Sequence, residues 1–336
     1  MKPNILFLSL FLLIFCGESQ SQSFRVMFYN VENLFDTIND PHKNDEEFLP
    51  TGIKRWNSYR YYKKLNQLSK VISAVGEWDT PALIGLCEVE NERTLDDLTQ
   101  HTPLRKMQYR YLIADSPDDR GIDVALLYQR DKFKYISHEC IRIDFPKNPK
   151  KKTRDVLHVT GQVITGDTLD IFVCHFPSRR GGQAVSEPDR IQAAQSVRSE
   201  IDQIISIRKK PNILIMGDFN DEPSSRSISG ALIGDDTILY NLFAEIEKTS
   251  PIGSYKFQGN WELLDQIIVS SHLLQPNNPF HVLAQSAQIV DFDFLLIQDA
   301  NGGKRPRKTF NGPRYEGGYS DHLPVFVDFS VETMAQ

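Results

Sequence analysis

The stretch Asn212-Ile-Leu-Ile-Met-Gly-Asp-Phe-Asn-Asp-Glu-Pro223 carries the clearest structural signal in the chain. Its apolar run, closed by a glycine, predicts a buried strand that ends in polar side chains. Asp218 and Asn220 are two residues apart and share a face if the extended conformation continues. A carboxylate beside a carboxamide is suited to orienting a water molecule and holding an oxyanion. The stretch is also compatible with a strand that turns at Asp-Glu-Pro and has only a structural role. The choice between the two interpretations depends on other segments of the chain.

The composition is that of a globular protein. The 336 residues contain 40% hydrophobic and 24% charged side chains, enough for one large α/β domain or two ordinary ones. We find no repeat, low-complexity tract or linker, which favours a single domain over residues 24–332. The formal net charge of −6 argues against a protein that coats DNA, and it is compatible with carboxylates gathered around a metal ion.

The amino-terminal segment predicts secretion. Lys2 precedes an apolar run over residues 4–16 and a small polar stretch, which is typical of a signal peptide, here over residues 1–22. The run is too short for a comfortable membrane span. We therefore expect a secreted or periplasmic protein whose mature chain has no transmembrane span. The alternative is a lipid anchor on Cys16, although the preceding Leu-Ile-Phe is bulkier than such signals prefer.

The three later cysteines, Cys87, Cys140 and Cys174, are odd in number and lack the short spacing of a zinc site. This excludes a disulfide framework. Because each cysteine lies in or beside an apolar run, we expect buried free thiols. A bridge between Cys87 and Cys174 is the alternative in an oxidising compartment.

The periodicity of the chain favours stacked mixed sheets. Apolar residues at three- and four-residue steps, including Tyr59, Tyr62 and Leu65, predict a helix over residues 55–76, and Pro188 predicts the start of another over 188–207. Predicted strands outnumber helices by about two to one, and most successive strands are joined by loops too short for a parallel crossover. The expected fold class is α+β, with largely antiparallel or mixed sheets stacked on each other and helices outside.

Six segments share one pattern, in which an apolar strand is followed at its end by Asn, Asp, Glu or His. One such residue alone is more often a satisfied structural side chain than a catalyst. A core with this many ionisable groups is very costly unless they bind a cation or pair with one another. The residues are Asn30 and Glu32, Glu88, His175, Asp218 and Asn220, Asp265, and Asp321 with His322.

This set of residues suits hydrolysis of a phosphate ester with the help of a metal ion. Glu88, Glu32 and Asp321 offer oxygen ligands, which favour Mg²⁺, Mn²⁺ or Ca²⁺ over zinc. The cation would polarise a phosphoryl oxygen and neutralise charge on the leaving oxygen.

The remaining residues suit proton transfer and phosphate contacts. Asp218 would orient the attacking water and take its proton, although His322 can also accept it. Asn220 and Asn30 would donate to phosphate oxygens without adding charge. Asp265 is the candidate carboxylate that fixes the tautomer of His322.

Three arginines are candidates for holding further phosphates. Arg120, Arg179 and Arg180 lie in turns or loops and have the geometry to bind phosphate bidentately. As single residues, they fit ordinary surface charges equally well.

The chain resembles the endonuclease/exonuclease/phosphatase superfamily over residues 24–330. That group includes pancreatic-type deoxyribonucleases, abasic-site endonucleases, inositol-polyphosphate phosphatases and neutral sphingomyelinases. The motifs that carry the resemblance occur in order: Tyr29-Asn-Val-Glu-Asn33, Leu86-Cys-Glu-Val-Glu90, His175-Phe-Pro-Ser178, Gly217-Asp-Phe-Asn-Asp221, Leu264-Asp-Gln-Ile267 and Ser320-Asp-His-Leu-Pro324.

The resemblance implies a four-layer α/β sandwich, with two packed mixed sheets between helices and the site at the sheet edges. It implies a metal held chiefly by Glu88, with help from Glu32, Asn30 and Asp321. It also supports a water-orienting Asp218.

The resemblance further supports a pair formed by Asp265 and His322. His175 is similar to a histidine of deoxyribonuclease-like and sphingomyelinase-like members, which abasic-site enzymes lack.

The leading functional hypothesis is a secreted, divalent-metal-dependent phosphodiesterase, a monomeric nuclease that degrades extracellular DNA or RNA without sequence readout. Scattered basic loops are compatible with contacts to a phosphate backbone, whereas the overall acidity and the lack of a long basic or aromatic insertion count mildly against tight DNA binding. One alternative keeps the chemistry and changes the substrate to a phospholipid, as in sphingomyelinases, or to an inositol polyphosphate. Another alternative is a non-catalytic surface-binding module.

Overall fold

The computed structural model describes residues 22–332. Within them the chain forms two large mixed sheets with helices outside, which confirms the predicted sandwich of two packed sheets. No helix among the described residues is long and apolar enough to cross a bilayer. All of the predicted signal peptide except Gln22 lies outside the described residues, as does Cys16.

The described residues form nineteen strands, four α-helices and one π-helix. The strands are β1 (Gln22–Leu34), β2 (Leu83–Val89), β3 (Arg110–Ile113), β4 (Asp123–Tyr128), β5 (Phe133–Ile141), β6 (Val156–Val163), β7 (Thr168–His175), β8 (Asn212–Asp218), β9 (Leu239–Asn241), β10 (Tyr255–Phe257), β11 (Asn260–Glu262), β12 (Asp265–Ser270), β13 (Phe280–Val282), β14 (Gln288–Ile289), β15 (Leu296–Gln298), β16 (Lys304–Pro306), β17 (Phe310–Asn311), β18 (Arg314–Tyr315) and β19 (Val325–Val331). The α-helices are α1 (Ser58–Gly76), α2 (Glu92–Gln100), α3 (Gln183–Ile207) and α4 (Ala244–Thr249), and a π-helix covers Arg226–Ile233.

Each large sheet is built around one parallel pair. The first sheet has the order β13-β19-β1-β2-β4-β3, with β14 also on β19, and only β1 and β2 are parallel. The second has the order β5-β6-β7-β8-β12-β9, and only β7 and β8 are parallel. Helix α1 connects the first parallel pair and α3 the second, because parallel neighbours need a crossover connection. The other connections are hairpins, loops and the shorter helical segments, including α2, the π-helix and α4.

Three apolar layers hold the sandwich together, one between each pair of neighbouring layers. Side chains alternate along a strand, so Val26 and Phe28 face the second sheet whereas Met27 faces α1. In the same way Leu214 lies between the sheets and Ile215 packs on the α3 side.

The two predicted helices differ from the structure at their starts. Helix α1 begins at Ser58 because Asn57 caps it by accepting from the amide of Arg60. Helix α3 begins five residues before Pro188, which lies inside it.

The buried face of α1 also differs from the prediction. It includes Tyr61 and Lys64, whereas Tyr59 and Tyr62 are exposed. The three-residue spacing of the tyrosines was therefore a misleading guide to this face.

Two further predictions from the sequence were wrong in detail. The pattern of residues 261–270 predicts a strand, but the structure divides it: β11 forms a hairpin with β10, and β12 joins β8 in the second sheet. Cys87 and Cys174 are buried free thiols as expected, but Cys140 is exposed because it lies on β5, the edge strand of the second sheet.

Gly217 sits where β7 and β8 come into close contact. A Cβ atom at this position would lie 2.5 Å from the carbonyl oxygen of Cys174, which is backbone and cannot move aside cheaply. The glycine directly before Asp218 therefore serves the close approach of two strands.

We expect Gly217→Ala to lower the free energy of unfolding by about 1–3 kcal/mol through overpacking. The control is Gly230→Ala, where an added Cβ meets no atom within 4 Å. Because alanine favours helical backbone over glycine, the control should be neutral or stabilising by up to about 1 kcal/mol. Urea unfolding followed by circular dichroism measures both, and equal stabilities would contradict the steric argument.

Candidate active site

The predicted site residues meet at one edge of the sandwich because of strand direction and register. In the second sheet, His175 on β7 is paired with Asp218 on β8, which is paired with Asp265 on β12. In the first sheet, Asn30 lies at the matching edge, and the segment leading into antiparallel β19 delivers His322. The polar ends of both sheets thus close off one end of the apolar layer between them.

Simple strand alternation does not place every site residue. Glu32 and Glu88 have φ angles of 51° and 63°, at irregularities in the register of β1 with β2 and of β2 with β4. Asn220, in the loop after β8, has φ 51°. The sequence predicts a shared face for Asp218 and Asn220, and likewise for Asn30 and Glu32, only if the extended backbone continues, and at Glu32 and Asn220 it does not. Positive φ in residues other than glycine is costly, and such residues cluster at functional sites.

Asp218 lies at the centre of the site and has four other site residues around it. Its Oδ2 accepts from Asn30 Nδ2 at 3.0 Å and lies 3.7 Å from His322 Nε2 and 3.8 Å from His175 Nε2. Its Oδ1 accepts from the amide of Asn220 at 2.9 Å. Burial raises the pKa of Asp218 to about 7, against the opposing attraction of His322.

His322 is held in a charged state by its neighbours. Its Nδ1 is 2.6 Å from Oδ2 of buried Asp265, so the predicted pair is present. Burial disfavours the imidazolium, but the charges of Asp265 and Asp218 outweigh it and raise the pKa of His322 well above its ordinary value. Nε2 then carries a proton and faces Asp218.

His175 differs from His322 in the direction of its pKa shift. Burial, together with repulsion from Arg154 and Arg120, holds its pKa well below the ordinary value. The ring is therefore neutral, and its Nδ1 is buried without a hydrogen-bond partner among the described residues. Two histidines on either side of one carboxylate thus differ in charge.

Glu32 is engaged by the protein itself. Its two carboxylate oxygens accept from the amides of Thr309 at 2.6 Å and Phe310 at 3.1 Å, and Lys64 Nζ lies 3.9 Å away. Burial and repulsion from Asp321 raise the pKa of Glu32 to about 7. Its predicted role as a metal ligand therefore competes with a role in fixing the 309–310 segment.

Glu88 and Asp321 provide the best fit to a divalent cation. Both are half-buried, and neither forms an ion pair with any described residue. Burial, the largest cause, and repulsion from Glu88 raise the pKa of Asp321. One Glu88 oxygen accepts from the amide of Asn33 at 2.8 Å, which leaves the other for a ligand. Neighbouring carboxylates without a basic partner are the environment that hard cations stabilise.

Two tight groups of ligand atoms centre on Asp218, one with Asp265 and His322 and one with Cys87 and His175. Within each group the atoms lie within 4.8 Å of one another. Cys87 would suit a soft metal only as a thiolate, but burial raises its pKa well above the ordinary value. Asp218 therefore faces a neutral thiol and a neutral imidazole on that side.

The three candidate arginines differ in position. Arg179 already uses donors within the protein, because it donates to the carbonyl of Asn220 at 2.7 Å and to Glu262 at 2.9 Å. Arg120 and Arg180 are exposed and line a pocket beside the site. The predicted phosphate contacts are thus geometrically open for Arg120 and Arg180 and restricted for Arg179.

Lys64 is a site residue that the sequence interpretation missed. It is fully buried and donates to Thr309 Oγ1 at 2.7 Å and to the carbonyl of Tyr319. It occupies the apolar face of α1, four residues before Leu68. A lysine at such a position was the signal that could have revealed it, since lysine is almost never fully buried unless paired.

The chain is similar to known proteins of one family. A family model described as the endonuclease/exonuclease/phosphatase family matches residues 25–331. The chain belongs to this family, as the sequence motifs predicted, and it is a metal-dependent phosphoesterase. A search of curated proteins finds no match.

Solved structures share the fold at low sequence identity. A family protein from Bacteroides thetaiotaomicron is 18% identical with a TM-score of 0.60, over 94% of this chain and 100% of that chain. A mannosyl-6-phosphatase from the same species is 19% identical with a TM-score of 0.58, over 91% and 99%. TDP2 from D. rerio, complexed with a single-strand DNA product, is 14% identical with a TM-score of 0.57, over 91% and 98%.

We expect the stabilisation by Mg²⁺ to increase with pH. The folded-state pKa values of Glu32 and Asp218, about 7, exceed the ordinary values of 4.5 and 3.8. The metal-free fold therefore binds more protons than the unfolded chain in that window, and its stability falls as pH rises from about 4 to 7. A bound cation replaces those protons, so Mg²⁺ should offset the loss.

Urea unfolding at about pH 5 and about pH 7.5, with EDTA or with millimolar Mg²⁺, measures this effect. The raised pKa of His322 also lowers stability as pH rises through it, and a cation beside Asp321 and Asp218 would weaken that effect. The same series on His322→Gln removes the contribution of this ring and so isolates the carboxylates. A stabilisation by Mg²⁺ that is equal at both pH values would contradict the argument.

Proposed function

We propose that the protein is a secreted phosphodiesterase that hydrolyses extracellular nucleic acid without sequence specificity, with Mg²⁺ or Mn²⁺ as its cation. The observation that carries the proposal is the arrangement around Asp218, in which one carboxylate is aligned by Asn30 and Asn220 and flanked by a charged and a neutral histidine. TDP2, one of the similar structures, has a single-strand DNA product bound, which supports nucleic acid as substrate.

Glu88 and Asp321, with Asn30 and Glu32 as further predicted ligands, would hold the divalent ion. The ion supplies Lewis acidity toward a phosphoryl oxygen and the leaving oxygen. Every other contribution comes from the protein.

Asp218 aligns the attacking water and accepts its proton. The structure favours Asp218 over His322 as the base, because the raised pKa of His322 keeps that ring protonated. Protonated His322, oriented by Asp265, stabilises charge that builds up on the phosphate. Asn220 donates to the carbonyl of Phe176 at 3.0 Å and so fixes the loop that carries its own amide against Asp218.

The alternatives are weaker. A sphingomyelinase-like enzyme needs an exposed aromatic hairpin to enter a membrane. On the β10–β11 hairpin Phe257 is 52% exposed, but Trp261 packs against the core under α1 and Lys256 Nζ lies 5.6 Å from its ring. A phosphomonoesterase remains the second candidate, because one similar structure is a mannosyl-6-phosphatase. A non-catalytic module is disfavoured, since each catalytic side chain of the six motifs is present.

Secretion rests on the apolar run over residues 4–16. A chain recovered from the periplasm or medium with its first residue near Ser23 would support it. Retention in the membrane that is abolished by Cys16→Ala would favour the lipid anchor instead.

Parallel assays of the mature protein with Mg²⁺ or Mn²⁺ test the substrate. Plasmid DNA, RNA, sphingomyelin, an inositol polyphosphate and mannose 6-phosphate cover the candidates. We expect turnover of DNA or RNA above that of the others. Turnover of a lipid or a monoester without any turnover of nucleic acid would overturn the nuclease assignment.

Asp218→Asn and His322→Gln test the assigned roles. Each should lower kcat by about 10²- to 10⁴-fold, because each removes a group that transfers a proton or stabilises charge in the transition state. Asp202→Asn, on the exposed side of α3, is the control and should retain full activity. A site variant that folds normally by circular dichroism and keeps near-full activity would refute its role.

A further inference from the structure

A basic pocket lies beside the candidate active site. Three segments form it: the turn at residues 118–120, residues 151–154 before β6, and the loop at residues 177–180 after β7. With the start of α3, they enclose about 420 Å³. The pocket is large enough for a phosphate group and its water.

The basic pocket has an excess of positive charge. It is lined by five cationic side chains and three carboxylates, which leaves two positive charges. Each carboxylate already has a basic partner: Asp118 lies 3.2 Å from Arg154, Asp119 lies 3.2 Å from Lys152, and Asp189 pairs with Lys151.

Two arginines of the pocket keep free donors. Arg120 is 45% exposed and 3.6 Å from Asp118, and Arg180 is exposed and makes no ion pair with any residue between 22 and 332. Exposed guanidinium groups with unused donors are suited to binding phosphate bidentately.

The wall of the pocket contains polar groups that the protein does not satisfy. Arg154 is fully buried, and its Nε has no hydrogen-bond partner among the described residues. The same holds for Oγ1 of buried Thr153. A buried cation with an unused donor is costly, and an anion held nearby would lower that cost.

The basic pocket adjoins the loop that follows Asp218. The carbonyl of Phe176 accepts from Nη2 of Arg154 and also from Asn220 Nδ2 at 3.0 Å. One peptide group therefore separates the pocket wall from the Asp218 loop. In addition, Arg154 and Arg120 contribute, after burial, to the lowered pKa of His175, so their field reaches that ring.

We propose that the basic pocket binds a second phosphate of the substrate, joined through a sugar or cyclitol to the phosphate that is hydrolysed. It selects multiply phosphorylated substrates, and foremost a nucleotide chain, over a choline head group, whose positive charge it repels. This inference rests on the proposed phosphodiesterase function and adds to it the part of the substrate that lies beyond the scissile group.

Titration calorimetry in the presence of Mg²⁺ tests the pocket by binding alone. The probes are thymidine 3′,5′-bisphosphate, thymidine 5′-monophosphate and phosphocholine, with inositol 1,4-bisphosphate and inositol 1-phosphate as the cyclitol pair. Wild-type protein should bind the thymidine bisphosphate about tenfold to hundredfold more tightly than the monophosphate, as expected for added charge-assisted hydrogen bonds. Phosphocholine should bind most weakly.

The variants Arg180→Ala and Lys152→Ala should bring the bisphosphate preference close to one. Arg130→Ala is the matched control, because Arg130 is also exposed but lies far from the site. It follows β4 at the end of the first sheet that is remote from Glu88. It should keep the full preference. The proposal would be overturned if wild-type protein bound the bisphosphate no more tightly than the monophosphate. It would also be overturned if both pocket variants kept the full preference for the bisphosphate.

The binding and turnover experiments separate the two claims. Hydrolysis of nucleic acid without a bisphosphate preference would refute the pocket and leave the proposed function standing. A bisphosphate preference without hydrolysis of any phosphodiester would support the pocket as an anion site and contradict the proposed function. A preference confined to the cyclitol pair would refute the nucleotide as the favoured source of the second phosphate.

Discussion

The hydrogen bond from Asn30 to Asp218 joins the two sheets at the edge where the site lies. Asn30 ends the regular part of β1 and Asp218 ends β8, so this bond depends on how the two sheets stack. The apolar layer between the sheets sets their separation, and Gly85 allows Phe28 and Met216 to approach closely within it. The positions of Asp265 and His322 follow from the same packing. The geometry of the site is therefore a consequence of the core beneath it.

The charge balance of the site is the second organising constraint. Asp218, Asp265, Glu32 and Asp321 are brought together with few cations, and burial with mutual repulsion raises the pKa of several of them. Lys64 and protonated His322 supply part of the missing positive charge from within the protein. A divalent ion would supply the rest, which explains in physical terms why this family of enzymes is metal-dependent.

Much of the fold and of the site was predictable from the sequence, because apolar runs that end in polar residues identify strands and their exposed ends. The pairing of Asp265 with His322 and the convergence of the six motifs followed from that pattern. The left-handed conformations of Glu32 and Glu88 did not, because no local rule places a non-glycine residue there. Neither did the partners of Lys64 or the assembly of Arg120 and Arg180 into one pocket, since both depend on contacts between segments distant in sequence.

We propose as the central claim that the edge of the first sheet carries one cation site, with Glu88 as its main ligand, beside Asp218 of the second sheet. Titration calorimetry with Mg²⁺ on the wild type and on Glu88→Gln tests it most directly, with exposed Glu245→Gln as the control. We predict that Glu88→Gln binds Mg²⁺ at least about tenfold more weakly, whereas the control matches the wild type. Equal affinities of wild type and Glu88→Gln would contradict the claim.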